Sequence, residues 1–494
     1  MAPGGGGRAI SQQAFEDMVR ENVEEDLDPE EPRGRDSGAL SPGRIVKCVP
    51  GVASAKDDPV LQAVDALKEM LASGLPQKSN MGEVVRLLDR LSDLCSPGGE
   101  EAGTRTRLLL SEMAQWSCSA PHVLLSNAEE DALVSALKAL SCVLCDIRST
   151  EIFQCNHGPK LIMQILNRYG QSVNLLDSCF SVVAAAATGN EIVKEAFMDL
   201  KIGELFVRKL NAQSKCCTES MYDAIRILLT PDDDRVLASQ VYGYARKFAQ
   251  IGISDALVEA LKDGLHSPGV ISICVALKAV AVNDEICRSI SEKGGIDAVL
   301  KCIVESSEQN DKAIAEVAVL YCSRSEALLF ILAGSDSNKN TIVQNGGLDN
   351  LIKLSSNFLM IQLLSFSCYF IHYDNCFIQI MTVISALSLR TPENAARAIE
   401  AGAGDLAIQA MRKFPSAYQM QKQCCLMIRN LVVRNQKTGV TILLGNGVER
   451  LIRKAKSSSA ICKEAASAAL RDLVSMITTD RHTSPHPVFL SSSS

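Results

Sequence analysis

Apolar residues recur at three- and four-residue spacings through almost the whole middle of this chain, with polar residues between them. Val60, Ala63, Val64, Leu67 and Leu71 predict a helix over 59–73, and Val84, Val85, Leu87, Leu88 and Leu91 predict another over 82–95. A loop follows at 96–104, and from Thr106 the helical pattern runs nearly without pause to about Thr478. Inside that stretch one arrangement keeps returning: a short amphipathic helix, a glycine, an apolar run opening a second helix, and then a third. Asp284-Glu285-Ile286 through Gly294-Gly295-Ile296-Asp297-Ala298-Val299-Leu300 is the clearest copy. The aligned glycines are 158, 203, 252, 295, 347, 404 and 447, with steps of 45, 49, 43, 52, 57 and 43 residues. A helical period in the forties predicts an all-α fold, a right-handed α-solenoid in which each unit packs on its neighbours and the long surface binds rather than catalyses. Pro392 after Thr391, and Pro231 followed by Asp232, Asp233 and Asp234, read as helix starts, since acidic residues complement the dipole there.

Two regions depart from the pattern. Residues 355–373 carry no charge, a length that just crosses a bilayer, but Gln362, His372 and four serines weigh against a span. An irregular insertion over 355–380 is the better reading, either a lengthened buried helix pair or a translated non-coding stretch. The ends differ as well. Residues 1–9 are glycine-rich, 10–26 form a short helix capped by Ser11, and 27–58 read as a linker, so 1–58 is a mostly disordered leader. Residues 479–494 read as a polar, frayed tail. The solenoid proper is expected over 59–478.

Composition narrows the function. The net charge of -7 argues against a general nucleic-acid binder. That charge is concentrated: residues 15–31 hold nine acidic side chains against Arg20, which leaves the rest near neutral. Aromatics make up 4%, and Trp116 is the single tryptophan. Eighteen cysteines fall on apolar helical faces, as Cys179, Cys274, Cys302 and Cys424 do, and no apolar signal follows Met1, so a reducing cytosol or nucleus is expected. Cys142 and Cys145, with Cys155 and His157 beyond, look superficially like a metal site; as i and i+3 on one helix they read as core. Cys216-Cys217 and Cys424-Cys425 read likewise. No phosphate loop, nucleophile elbow or HExxH motif is present, so no enzyme, metal or cofactor is expected.

The helix–glycine–helix units, with Cys424-Cys425-Leu426-Met427-Ile428-Arg429-Asn430-Leu431-Val432 and Ala468-Ala469-Leu470-Arg471-Asp472-Leu473-Val474 as third helices, resemble armadillo repeats. The opening stretch Ile10–Asn22 narrows the resemblance to one branch of that family. The resemblance implies an α-solenoid of unassigned biochemical activity whose third helices line a concave groove, and the reading that follows is a non-catalytic scaffold or adaptor for protein segments. Aligned third helices put Lys138, Arg226, Lys278, Arg429 and Arg471 at one position, interrupted by Ala184, Phe330 and Ser385. Apolar neighbours flank most of these cations, so the basic side chains point away from the core. Such a row suits acidic or extended peptides held by charge-assisted hydrogen bonds. The plain alternative is a solvated helix face, and a further one is contact with nucleic-acid phosphate. Import adaptors of this fold pair tryptophan with asparagine; here Asn430 stands alone at the matching place, so that function is not expected.

Overall fold

The computed structural model describes residues 59–72, 81–95, 130–169, 171–212, 218–232, 238–262, 264, 269–307, 325, 327–364, 370–434 and 447–483. The leader, Cys216-Cys217 and the residues after 483 lie outside them. Among the described residues every regular element is a helix. Pro59–Ala72 and Met81–Cys95 form where the apolar spacing places them. The last helix, Ala460–Thr483, runs past the end expected at 478.

Repeat geometry begins with the first helices. Five of them, Ile147–Cys155, Glu191–Asp199, Asp284–Glu292, Asp336–Gln344 and Pro392–Glu400, are nine residues each. Caps fix their starts. Asp146 accepts a bond from Ser149 N at 2.7 Å and the Ser149 hydroxyl completes a capping box. Asn190 accepts from Ile192 and Val193 N, and Asn283 accepts from Ile286 N at 2.8 Å. Thr391 and Pro392 hold the N-cap and first helical positions as expected. Pro231 and Asp232 are themselves not helical, residues 233–237 lie outside the described residues, and Asp232 is drawn into another role.

Between first and second helices the backbone turns through one left-handed residue, and this, rather than the glycine itself, is what recurs. The positions are His157, Lys201, Gly252, Gly294, Gly346, Gly402 and Gly447, with φ between 60° and 99°. The aligned glycines of the sequence therefore have two distinct duties. Gly294 supplies the positive φ of 88°, which a side chain resists. Gly295 follows in ordinary helical conformation, and a Cβ there would lie 2.7 Å from the Ile290 carbonyl oxygen. Gly347 meets Ile342 in the same way.

Second and third helices bury the apolar faces. Leu137, Leu140, Ile162, Ile165, Phe180, Phe206, Leu277, Val280, Ile428 and Leu431 are all fully buried, each contributing about 1.5–3 kcal/mol. Phe180 stacks on Phe206 at 5.3 Å, and Phe248 meets Phe206 edge-on at 6.2 Å. The helices fall into two compact units. One holds the described residues up to Ala260 with Val275–Val280; the other holds Leu261–Cys274 and everything from Ala281 on.

Three of the described repeats also fasten their own beginning to their own end. In these the fifth residue of the first helix, counting its cap as one, meets the C-terminus of the same repeat's third helix. Lys194 is fully buried and donates to Thr230 O at 2.6 Å, with Glu191 at 2.9 Å and Asp232 at 2.6 Å as counter-ions. Lys339, equally buried, donates to Leu389 O at 3.0 Å beside Asp336 at 2.7 Å. At the same place the Cys287 thiol approaches Ile331 O at 3.9 Å, whereas Thr150 accepts at 2.9 Å from Asn190, the cap of the next first helix. An ammonium group complements the exposed carbonyls at a helix C-terminus, which makes lysine apt there. Asp232 also accepts from Gly189 N at 2.6 Å.

The uncharged stretch 355–373 crosses the end of helix Gly347–Leu364 and the start of helix Phe370–Ser388. From Cys376 on, the latter is buried like any third helix, through Ile380, Met381, Val383, Ile384 and Leu387. Among the described residues no helix is long and apolar enough to cross a membrane.

Candidate interaction face

Third helices pack side by side, and polar contacts stitch neighbours together. In the first unit these helices are Glu130–Val143, Val173–Ala187 and Glu219–Leu229. The Ser172 hydroxyl donates to Glu130, and the Ser220 hydroxyl donates to Asp177 at 2.7 Å. Lys138 emerges exposed between Leu137 and Leu140. Arg226 is half-buried, and Asp223 one turn earlier takes its Nε at 2.9 Å and Nη2 at 2.7 Å. Lys278, in Val270–Val280, is half-buried between Leu277 and Val280. Glu130, Asp177 and Asp223 thus share these helices with Lys138, Arg226 and Lys278, and the face is mixed in charge rather than uniformly basic.

In the second unit the face is built on Tyr418–Arg434 and Ala460–Thr483. Arg429 donates through Nε to Asp472 on the neighbouring helix at 2.8 Å. Asn430 donates its amide to Ser385 O at 3.2 Å, so one of its two N–H groups is committed to the scaffold. Arg471 is exposed. The interrupting residues Ala184, Phe330 and Ser385 are buried, which explains why no cation stands there. The Ser385 hydroxyl is buried without a hydrogen-bond partner among the described residues.

The carboxylate partners were the part that pattern reading missed. Asp223 was visible as an i,i+3 neighbour of Arg226, and Asp472 lies 43 residues from Arg429, one repeat step on. The buried lysines also carried a signal, a cap four residues earlier followed at once by an acid: Asn190-Glu191 before Lys194, Ser335-Asp336 before Lys339.

The cysteines hold no reactive thiolate in the core. Burial pushes the Cys274, Cys302 and Cys425 thiols up to about 12, and raises Cys179, Cys287 and Cys424 further. They stay protonated at neutral pH and pack as small apolar groups. Cys145 corrects the sequence expectation: helix Glu130–Val143 ends before it, and it is exposed, so Cys142 and Cys145 do not share a buried helical face.

No protein-family model matches the chain. Armadillo repeat-containing protein 6 of Pongo abelii is 28% identical over 369 residues, covering 70% of this chain and 69% of that one. The Homo sapiens protein of that name is 28% identical over 363 residues, with the same coverage. The Drosophila melanogaster homolog is 24% identical over 352 residues, covering 69% of this chain and 71% of its own. Among solved structures, an engineered protein superposes with a TM-score of 0.56 at 17% identity, covering 84% of this chain and 95% of that one. The fold is an armadillo-repeat solenoid. Armadillo solenoids suit a protein-binding scaffold, because stacked repeats present third-helix side chains over a long surface.

Proposed function

We propose that this armadillo solenoid is a non-catalytic scaffold whose third-helix faces hold extended, acidic partner segments. Lys138, Arg226 and Lys278 serve in one unit, and Arg429, Asn430 and Arg471 in the other. The observation that carries this reading is that cations emerge to solvent between fully buried apolar positions on helices packed side by side. Arg226 and Arg429 are paired, but exposed pairs of this kind contribute only about 0–1 kcal/mol, so an incoming carboxylate exchanges readily with Asp223 or Asp472. Asn430 keeps its carbonyl and one N–H for a partner's backbone.

Affinity capture from lysate tests this, comparing the native chain with a Lys138→Glu, Lys278→Glu, Arg429→Glu, Arg471→Glu variant of unchanged circular dichroism. Partners lost from the variant support the face as the binding site. An unchanged set shows these cations to be solvated surface only.

A further inference from the structure

Basic residues also gather away from the third-helix row, at the turns that lead into the last two third helices. Over residues 447–464 the sequence has five Lys and Arg against two carboxylates. Helix Val448–Ser458 buries Val448, Ile452 and Ala455 and exposes Arg450, Arg453, Lys454 and Lys456. Arg453 pairs with Glu449 at 2.7 Å, whereas no carboxylate pairs with Arg450, Lys454, Lys456 or Lys463 among the described residues.

Beside these cations two large apolar side chains face water. Tyr418 opens helix Tyr418–Arg434 and is 41% exposed; Ile461, at the opening of Ala460–Thr483, is 48% exposed. The Cys462 thiol donates to Tyr418 O at 3.2 Å, which sets the two helix openings side by side. Lys422 stands one turn beyond Tyr418, and Lys456 and Lys463 bracket Ile461 across the short turn. A surface that is cationic and apolar at once fits a segment that is acidic and apolar at once.

The chain carries such a segment. Residues 15–31 have nine carboxylates against one arginine, interleaved with Phe15, Met18, Val19, Val23 and Leu27. Their net of eight negative charges is opposite in sign to the basic edge. We propose that the edge formed by Tyr418, Ile461 and the surrounding lysines docks residues 15–31 of the same chain. The 27 residues 32–58 between that segment and the first described helix extend to at most about 90 Å, and tethering raises its effective concentration over any free competitor. Docking would cover the basic edge and leave it open to partners only when the segment is displaced.

Zero-length carbodiimide cross-linking of the full chain, read by mass spectrometry, tests this. Carboxylates of 21–31 are expected to join Lys454, Lys456 and Lys463 at least about fivefold more often than exposed Lys138 or Lys160, and salt near 0.5 M should erase the preference. Tyr418→Ser with Ile461→Ser should lower it. Phe15→Ser with Met18→Ser should do the same without touching the solenoid, so a misfolded edge variant leaves the question answerable. Even linking to all exposed lysines, or indifference to salt and to the leader variant, overturns the proposal. So do links found chiefly between labelled and unlabelled copies in a mixture, which would make a second copy the occupant.

Discussion

Lys194 shows how much one residue decides. Its ammonium is buried among Glu191, Asp232 and the carbonyl end of a third helix, and removing it strands two partly buried carboxylates beside unpaired carbonyls. Lys194→Ala should therefore lower stability by about 2–3 kcal/mol, below the full cost of a broken buried pair because Glu191 and Asp232 reach water. Lys194→Arg should recover only part of the loss, since a planar fork does not fit a site shaped for a point charge. Urea titration of the three proteins decides this; equal stability of all three would mean the lysine is a passenger. The third-helix cations are different in kind. They sit half-buried or exposed, with partners that solvent already weakens, so their substitution belongs to recognition rather than to folding.

At the level of the helix, the junction sets the repeat. Gly295→Ala forces a methyl group against a backbone carbonyl that has nowhere to move and should cost about 1–3 kcal/mol. Lys201→Gly should do the opposite, gaining up to about 1 kcal/mol by relieving a left-handed residue at φ 61°. Thermal midpoints shifting in opposite directions would confirm that these two neighbours in the repeat carry separate constraints; shifts of the same sign would refute it. The sequence made the helices legible because apolar spacing at Val84, Leu88 and Leu91, or at Ile428 and Leu431, is dictated by burial alone. It also exposed the junctions, but blurred them: Gly203, Gly252 and Gly295 aligned as one feature, although they occupy three different backbone positions. His157 and Lys201 hid the true recurrence, since nothing in their chemistry announces a left-handed turn. The mixed charge of the candidate face was hidden for another reason. Asp472 comes to Arg429 only when two third helices pack, and a periodic reading of one helix at a time does not see across to its neighbour.

Across the whole molecule, two compact units and contacts confined largely to adjacent helices predict unfolding that is not a single step. Buried thiols report on this locally. Cys179 lies in the first unit and Cys424 in the second, both fully buried, so each alkylates only when its surroundings open. Labelling along a urea titration should show the two becoming reactive at different concentrations, with exposed Cys145 and Cys155 modified throughout. Coincident onset at Cys179 and Cys424 would instead indicate one cooperative block.

The buttoning of these repeats onto themselves bears on how such a chain can change over time. Junctions lie 42 to 56 residues apart, yet Lys194, Cys287 and Lys339 reach the end of their own third helix. A unit that closes internally does not need its neighbour to keep a fixed length. A longer second helix such as Gly347–Leu364 is then accommodated inside one module, and whole modules can be copied or lost with only their outer faces left to match.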